Sequence, residues 1–344
     1  MHWKLFDGKK EEWDKKILES NAHYRQSYNW GEYKALMSWK VLRLEKKNKI
    51  GKSSLVQITY KKYSFFCAAY IPGNICGEID NLDFDFIKNI KKHTKSFFLY
   101  VRMDSNSKEL LKEEKSFKKN GWNRPLHKEH SSMTIDRTIN DLTNDFKLGT
   151  GKSWNKNLNK SKRIADKENI QFTTSNKPNG DDLVKISSIM SASKKIYNPH
   201  SKKEFNNLSK MLKDNTFFTL AYSSNGEPLG YRGFIYFKNR AWDLGAATSA
   251  RGRDSLVSYL ISVNVLEKAS SIGVKNYNFG AMDKINKSGV YYFKKGIGEN
   301  EYIYSGEWEY SNLPFMRFFM NITITILMSD RIRRIVPFIN GYKF

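Results

Sequence analysis

The chain has 344 residues, 40 % of them hydrophobic and 27 % charged, with 59 Lys and Arg against 35 Asp and Glu for a net charge of +24. That length exceeds what one hydrophobic core usually supports, and the apolar content excludes a disordered chain, so two folded domains are expected. The charge makes polyanions natural partners (RNA, nucleotide pyrophosphates, an anionic membrane face), although lysines spread this evenly among many Asn and Ile also fit generic surface filler.

The N-terminus lacks the apolar run of a signal peptide, and no stretch reaches the ~20 apolar residues of a membrane span; Ile322–Met328 is far too short. Cys67 and Cys76 have no metal-ligand spacing and imply no disulfide framework. Together these features predict a cytoplasmic protein. In chain order, Tyr28–Met37 reads as a helix with Trp30, Tyr33, Leu36 and Met37 on one face. Val41–Leu44, Leu55–Tyr60 and Ser64–Tyr70 read as strands, followed by a turn at Ile71-Pro72-Gly73-Asn74. Leu82–Thr94 has an amphipathic helical pattern with Phe84, Ile87 and Ile90 inward. Phe97–Val101 is a predicted strand, Lys108–Asn120 a helix stopped by Gly121, and Ser132–Asp136 a strand closing the first domain.

The second half repeats the order. Lys152–Glu168, Asp181–Ser193, Lys202–Lys213 and Asp254–Ser271 read as helices. Ile170–Thr174, Thr216–Tyr222, Leu229–Phe237, Arg240–Ala246 and Asn276–Phe279 read as strands, with Asn225-Gly226 as a hairpin turn. Helices interleaved with a mostly antiparallel meander, twice, predict an α+β chain of two domains. The boundaries fall at 1–140 with 309–344 for the first domain and 141–308 for the second.

Several chemistries find no support. The six histidines have no ligand spacing, so no metal site is predicted, and there is no Walker loop or dinucleotide glycine fingerprint. The turn Ser249-Ala250-Arg251-Gly252-Arg253-Asp254 stands where a coenzyme-A-binding acetyltransferase has its glycine-rich loop, but it has one glycine and is charged. Seating a pyrophosphate at the following helix N-terminus is still conceivable there.

The segment Tyr277–Glu299 is the most informative: Tyr277-Asn278-Phe279-Gly280-Ala281, then Asp283, then Phe293-Lys294 before Gly296-Ile297-Gly298. It resembles the "Y-D-F-G-G … F-K-x-x-F-G" signature of the FemAB family of tRNA-dependent peptidyltransferases. Other pieces are similar to that family in the same order: Gln26–Lys34 to its "Q-S … W … K" helix, Tyr70-Ile71-Pro72-Gly73 to its "Y-I-P-x-G-P" turn, and Leu99–Asp104 to its "L-R-I-D-P" strand end. Lys119–Trp122, Thr134–Asp136 and Lys160–Ile170 continue the resemblance. The chain departs from it at Asn278 and Ala281, lacks the proline after "Y-I-P-x-G", and lacks the long helical arm of some members.

The resemblance implies two tandem GNAT-like domains with a substrate cleft between them, acting as a monomer. It implies transfer of an aminoacyl group from aminoacyl-tRNA to an amine of a nucleotide- or lipid-linked peptidoglycan precursor, without a cofactor. The rival donor is acyl-CoA, with an amino sugar of a surface polysaccharide as acceptor; a third possibility is an inactive relative that binds RNA or membrane. Lys294, with Phe293 fixing its loop, would by this resemblance be catalytic by stabilising the oxyanion; its spacing alone favours a solvated loop lysine. Lys34 matches the phosphate-contacting position, and Lys202 stands near a second one. Trp30, Tyr70, Asp104, Trp242 and Asp283 complete the substrate-binding candidates. For Trp242 the alternative is a core strand residue, and for Asp104 a structural cap. Glu307 and Glu309 are candidate acidic partners of Lys294. The C-terminal tail, with Phe315, Phe318, Phe319 and several arginines, either packs on the first domain or lies against an anionic membrane at its inner face.

Overall fold

The computed structural model describes residues 2–20, 22–48, 51–77, 82–105, 110–126, 134–142, 151–194, 201–282, 288–297 and 300–329. In chain order the elements are β1 (Lys4–Leu5), α1 (Lys10–Glu19), α2 (Tyr28–Leu36), β2 (Lys40–Lys47), β3 (Ser53–Tyr63), β4 (Phe66–Ile71), α3 (Phe84–Thr94), β5 (Phe98–Ser105) and α4 (Leu110–Lys119). There follow β6 (Thr134–Ile139), α5 (Lys152–Glu168), β7 (Gln171–Ser175), α6 (Gly180–Lys194), α7 (Lys202–Leu212), β8 (Thr216–Tyr222), β9 (Pro228–Phe237) and β10 (Arg240–Thr248). The chain continues through α8 (Ala250–Asp254), α9 (Val257–Ser271), β11 (Asn276–Ala281), α10 (Ser288–Ile297), β12 (Asn300–Tyr304), β13 (Gly306–Ser311) and α11 (Pro314–Met328).

Two compact units result, Met1–Thr134 with Ile303–Phe344, and Ile135–Tyr302. The sequence reading set those junctions at 140/141 and 308/309. The first unit is built on a sheet of order β1-β2-β3-β4-β5-β13. Its last strand arrives from the C-terminal region, running antiparallel to β5 with Trp308 opposite Met103. Trp308, Phe117 and Trp122 are buried together with Leu99, Val101 and Met103. Helix α11 returns to cover this sheet, setting Met320 and Ile324 against Ala68 and Tyr100. Its polar side chains Arg317 and Asn321 turn inward to the buried Glu309 carboxylate, which also accepts from the Tyr100 phenol at 2.7 Å. Phe315, Phe318, Phe319, Ile322 and Ile326 are left exposed on the other side.

Three local expectations are corrected. Phe84 is 76 % exposed, and Phe86 points inward with Ile87 and Ile90. The reason is the cap: the Asp83 carboxylate accepts from the Phe86 N–H at 3.0 Å, which makes Phe84 the first helical residue, facing out. The buried residue of α2 is Gly31 rather than an aromatic stripe. A Cβ on Gly31 would stand 2.4 Å from Gln57 Oε1 and 2.5 Å from an Arg43 guanidinium nitrogen, so glycine is what lets this helix lie on β2 and β3. Finally, β6 does not close the first sheet. It pairs with β11, with Ile139 opposite Tyr277 and buried in the second core.

The second sheet has order β12-β6-β11-β10-β9-β8-β7, antiparallel from β7 to β10 and parallel between β10 and β11. Helices α5 and α9 pack on it through Trp154, Leu158, Ala165, Ile261, Val265 and Ala269. The long helix expected over Asp254–Ser271 is interrupted, because Leu256 takes a left-handed φ of 55° between α8 and α9. The Ser161 hydroxyl donates to the Leu256 carbonyl at 2.9 Å, tying α5 to that break.

Candidate active site

The second sheet buries a charged pair that its sequence hides in apolar strands. Arg232 on β9 donates to Oδ2 of Asp243 on β10 at 2.6 Å, and the Tyr277 phenol on β11 donates to Oδ1 at 2.6 Å. Both side chains of the ion pair are largely out of solvent, Arg232 at 7 % and Asp243 at 12 % exposure. The β10 register shifts between Asp243 and Gly245, an irregularity of the kind that re-aims a strand side chain. Burial pushes the Asp243 carboxyl above the ordinary aspartate value, while Arg232, Lys294 and the Tyr277 hydroxyl pull it back. Burial, then the Asp243 charge, lifts the Tyr277 phenol well above its usual value.

Lys294 stands within electrostatic reach of this group. It lies on α10, not in a glycine-flanked turn as the sequence suggests. Its ammonium donates to the Ala281 carbonyl at 2.9 Å, at the end of β11. That strand end is shaped by the motif itself. The Asn278 side chain accepts from the Gly280 N–H at 2.6 Å, and Gly280 takes φ 72°. Asparagine thus makes a local turn bond, and the left-handed residue is a glycine.

Phe293 fixes α10 from the other side. Its ring packs edge-on against Tyr259 at 5.2 Å and tilted against Trp154 at 6.2 Å, with the Arg232 guanidinium 5.4 Å from its centroid. Gly296 lets α10 approach α5, since a Cβ there would meet Trp154 Cδ1 at 2.8 Å. An ammonium on this framework can donate to a developing negative oxygen, and the buried carboxylate holds positive charge in place around it.

In the first unit three candidates, Trp30, Tyr70 and Asp104, gather around Arg25, which the sequence reading passed over. Arg25 contacts Asp104 at 3.4 Å and the Tyr24 hydroxyl at 3.3 Å, and lies 6.0 Å from the Trp30 ring centroid. Burial first, and then the Asp104 charge, raises the Tyr70 phenol far above its usual value. Asp104 thus pairs with an arginine; the cap expected over residues 106–108 lies outside the described residues. The Trp30 indole N–H is buried with no hydrogen-bond partner. Lys34 lies one turn beyond Trp30 on α2, its ammonium 5.2 Å from the Trp39 ring centroid. Lys61 lies 5.1 Å from that same ring.

Other candidates are placed differently. Lys202 opens α7 and makes an exposed ion pair with Asp181 at 2.7 Å. Trp242 is 6 % exposed in β10 beneath the Arg240 guanidinium, which fits the core alternative. Asp283 lies outside the described residues. Glu307 accepts from Arg102 at 2.7 Å, and Glu309 from Tyr100 and Arg317. Both sit on β13 in the first sheet, which the sequence reading did not recognise as a strand.

Ser249 caps only the five-residue α8. A Cβ on Gly252 would stand 2.1 Å from the Leu229 carbonyl oxygen, so this glycine serves helix-to-strand packing. Arg251 faces Glu168 and Glu227, and Arg253 donates to the Thr248 carbonyl and the Ser193 hydroxyl.

No family model matches the sequence, and no curated protein matches it. Solved structures do. FemX is similar over 93 % of this chain and 100 % of its own, at 15 % identity and a TM-score of 0.73. L-PGS from Bacillus licheniformis is similar over 91 % of this chain and 96 % of its own, at 11 % identity and a TM-score of 0.55. A tandem GNAT protein from the clavulanic acid biosynthesis pathway is similar over 91 % and 98 %, at 9 % identity and a TM-score of 0.53. At these identities the likeness defines the fold, which is that of FemX: two tandem GNAT-like units.

Proposed function

We propose that the protein is an N-acyltransferase that moves an aminoacyl group from aminoacyl-tRNA to an amine of a peptidoglycan precursor. The observation that carries this reading is Lys294, a cation set at the end of β11 by the Ala281 carbonyl and by aromatic packing at Phe293. In aminolysis the acceptor amine attacks the ester carbonyl, and a C–N bond forms as negative charge collects on the carbonyl oxygen. The ester C–O bond then breaks, and the tRNA 3′ oxygen leaves with a proton that came from the amine. A fixed donor at that oxygen is worth roughly 10²–10³ in rate. Lys294 supplies it, with Phe293 as a positioning residue.

The acceptor's phosphate falls to Lys34 in the first unit, with Lys61 flanking the same indole, and its remaining polar groups to Arg25, Tyr70 and Asp104. A tRNA donor is favoured over acyl-CoA by the short helix α8. Its one glycine serves packing and its two arginines are engaged within the protein. The net charge of +24 agrees with an RNA partner. The exposed apolar side of α11 fits a helix lying in a membrane interface, where a lipid-linked precursor would reside. No helix among the described residues is long and apolar enough to cross a membrane.

The test is a donor comparison on the full chain with a peptidoglycan precursor as acceptor. Transfer of label from charged tRNA that ribonuclease abolishes is the expected result. Release of free CoA from acyl-CoA, with no transfer from tRNA, would replace this reading with its rival.

A further inference from the structure

Helix α5 buries one face and charges the other. Trp154, Leu158, Ser161 and Ala165 are buried. Lys152, Lys156, Lys160, Arg163 and Lys167 are all exposed, at spacings of four, four, three and four residues. Those spacings keep the five cations on one side of an α-helix, in a stripe about 22 Å long with a charge roughly every 6 Å. Lys162 is exposed beside it. Among the described residues, none of these six cations has an ion-pair partner. The two acidic residues of the helix do not change this: Asp166 bridges to none of them, and Glu168 faces Arg251.

A row of unneutralised cations at regular spacing is costly to keep on a surface without an anionic partner. The partner must carry anions at similarly regular spacing. A bilayer does not fit, because the exposed positions of α5 carry Lys, Arg, Asn, Ser and one Asp, with no apolar side chain among them. A nucleic-acid duplex does: it carries one negative charge per about 1.7 Å of axis, so each cation can find a phosphate along the length of the stripe.

The stripe is also attached to the reacting centre. The N-terminal end of α5 packs directly on α10, which carries Lys294: a Cβ on Gly151 would lie 3.6 Å from Gly296 Cα, and Trp154 meets Phe293 at 6.2 Å. We infer that the outward face of α5 is the docking surface for the duplex stem of an RNA donor, whose single-stranded end reaches Lys294 from the Lys152 end of the stripe. This inference rests on the donor assignment above and gives it a location.

The experiment measures equilibrium binding of the full chain to an uncharged RNA hairpin with a single-stranded 3′ end, across a salt series. The stripe variant Lys156→Glu/Lys160→Glu/Arg163→Glu is compared with Lys15→Glu/Lys88→Glu/Lys92→Glu, which makes the same change in net charge at exposed positions of the first unit. The stripe variant is expected to lose at least about tenfold in affinity, and the slope of log affinity against log salt to fall by roughly 2–3, the change for three lost phosphate contacts. The control should keep most of its affinity and its slope. A glutamine version of the stripe variant, with wild-type circular dichroism, guards against loss of folding. Equal losses in both triple variants, or an unaffected stripe variant, would overturn the inference. Binding is read without acyl transfer, so an active enzyme with no stripe dependence, and a stripe-dependent RNA binder with no activity, are distinguishable failures.

Discussion

Tyr277 donates to the same carboxylate that Arg232 holds, each at 2.6 Å from its own oxygen of Asp243. Three adjacent strands of the second sheet are thus joined by side chains as well as by their backbone ladder. The side chain at the centre of that junction also acts electrostatically on Lys294.

Asp243 makes stability depend on pH with a definite sign. Burial raises its folded pKa, so the folded protein keeps the proton over a range where the unfolded chain has lost it. That contribution is complete below about pH 4 and is lost as pH rises through the folded value. Asp243→Asn, which leaves one donor of the junction poorly matched, should cost about 1–3 kcal/mol in guanidinium unfolding. The wild type's advantage over the variant should be largest at acid pH and shrink as pH rises. An advantage that grows with pH would contradict the assignment.

Gly296→Ala sets two effects against each other. Alanine in place of glycine near a helix end gains up to about 1 kcal/mol in propensity. The new Cβ, however, would meet Trp154 Cδ1 at 2.8 Å and Cβ at 3.0 Å, and Trp154 is itself buried. Overpacking of this kind costs about 1–3 kcal/mol, so the net effect should be destabilising. Trp154→Leu in the same chain should make the glycine change less costly. Strict additivity in that double-mutant cycle would mean that α5 and α10 do not meet through these residues.

Much of this architecture is legible in the sequence. The meander of the second unit and the helix over Lys152–Glu168 follow from plain periodicity. Helix α1 was missed because Trp13 and Ile17 are its only buried residues in an otherwise charged stretch. Strand β13 was missed because the partners of its buried Glu309 are Tyr100, Arg317 and Asn321, the first of them far away in the chain. Helix α10 was read as a loop because Gly289 and Gly296 break its pattern, and Gly296 is there for Trp154. The Arg232–Asp243 pair did leave a signal: opposite charges inside two neighbouring apolar strands, where burial is affordable only with a partner.

Lys34→Ala should weaken binding of a nucleotide-linked precursor about fivefold at low ionic strength, the size of one partly exposed charge contact. The loss should shrink as salt is added, because screening removes what the substitution removes. Calorimetric titration at two salt concentrations checks this. A loss that is independent of salt would assign Lys34 a packing role against Trp39 in place of a phosphate contact.

Phe318→Ser/Phe319→Ser removes two exposed rings from α11, so the unfolding midpoint should barely move. Retention on vesicles containing phosphatidylglycerol should fall at least about tenfold relative to wild type, since each ring contributes its apolar area only on insertion. If the wild type does not sediment with such vesicles, or the variant sediments equally well, α11 is not a membrane contact.

The most direct test of the central claim is single-turnover aminoacyl transfer by Lys294→Met, measured beside donor and acceptor binding. Methionine keeps the length of the side chain and removes the cation that the Ala281 carbonyl anchors. The account predicts a rate lower by roughly 10²–10³ with both dissociation constants within a few-fold of wild type. A rate within a few-fold of wild type, or a loss that appears wholly as weaker binding, would contradict it.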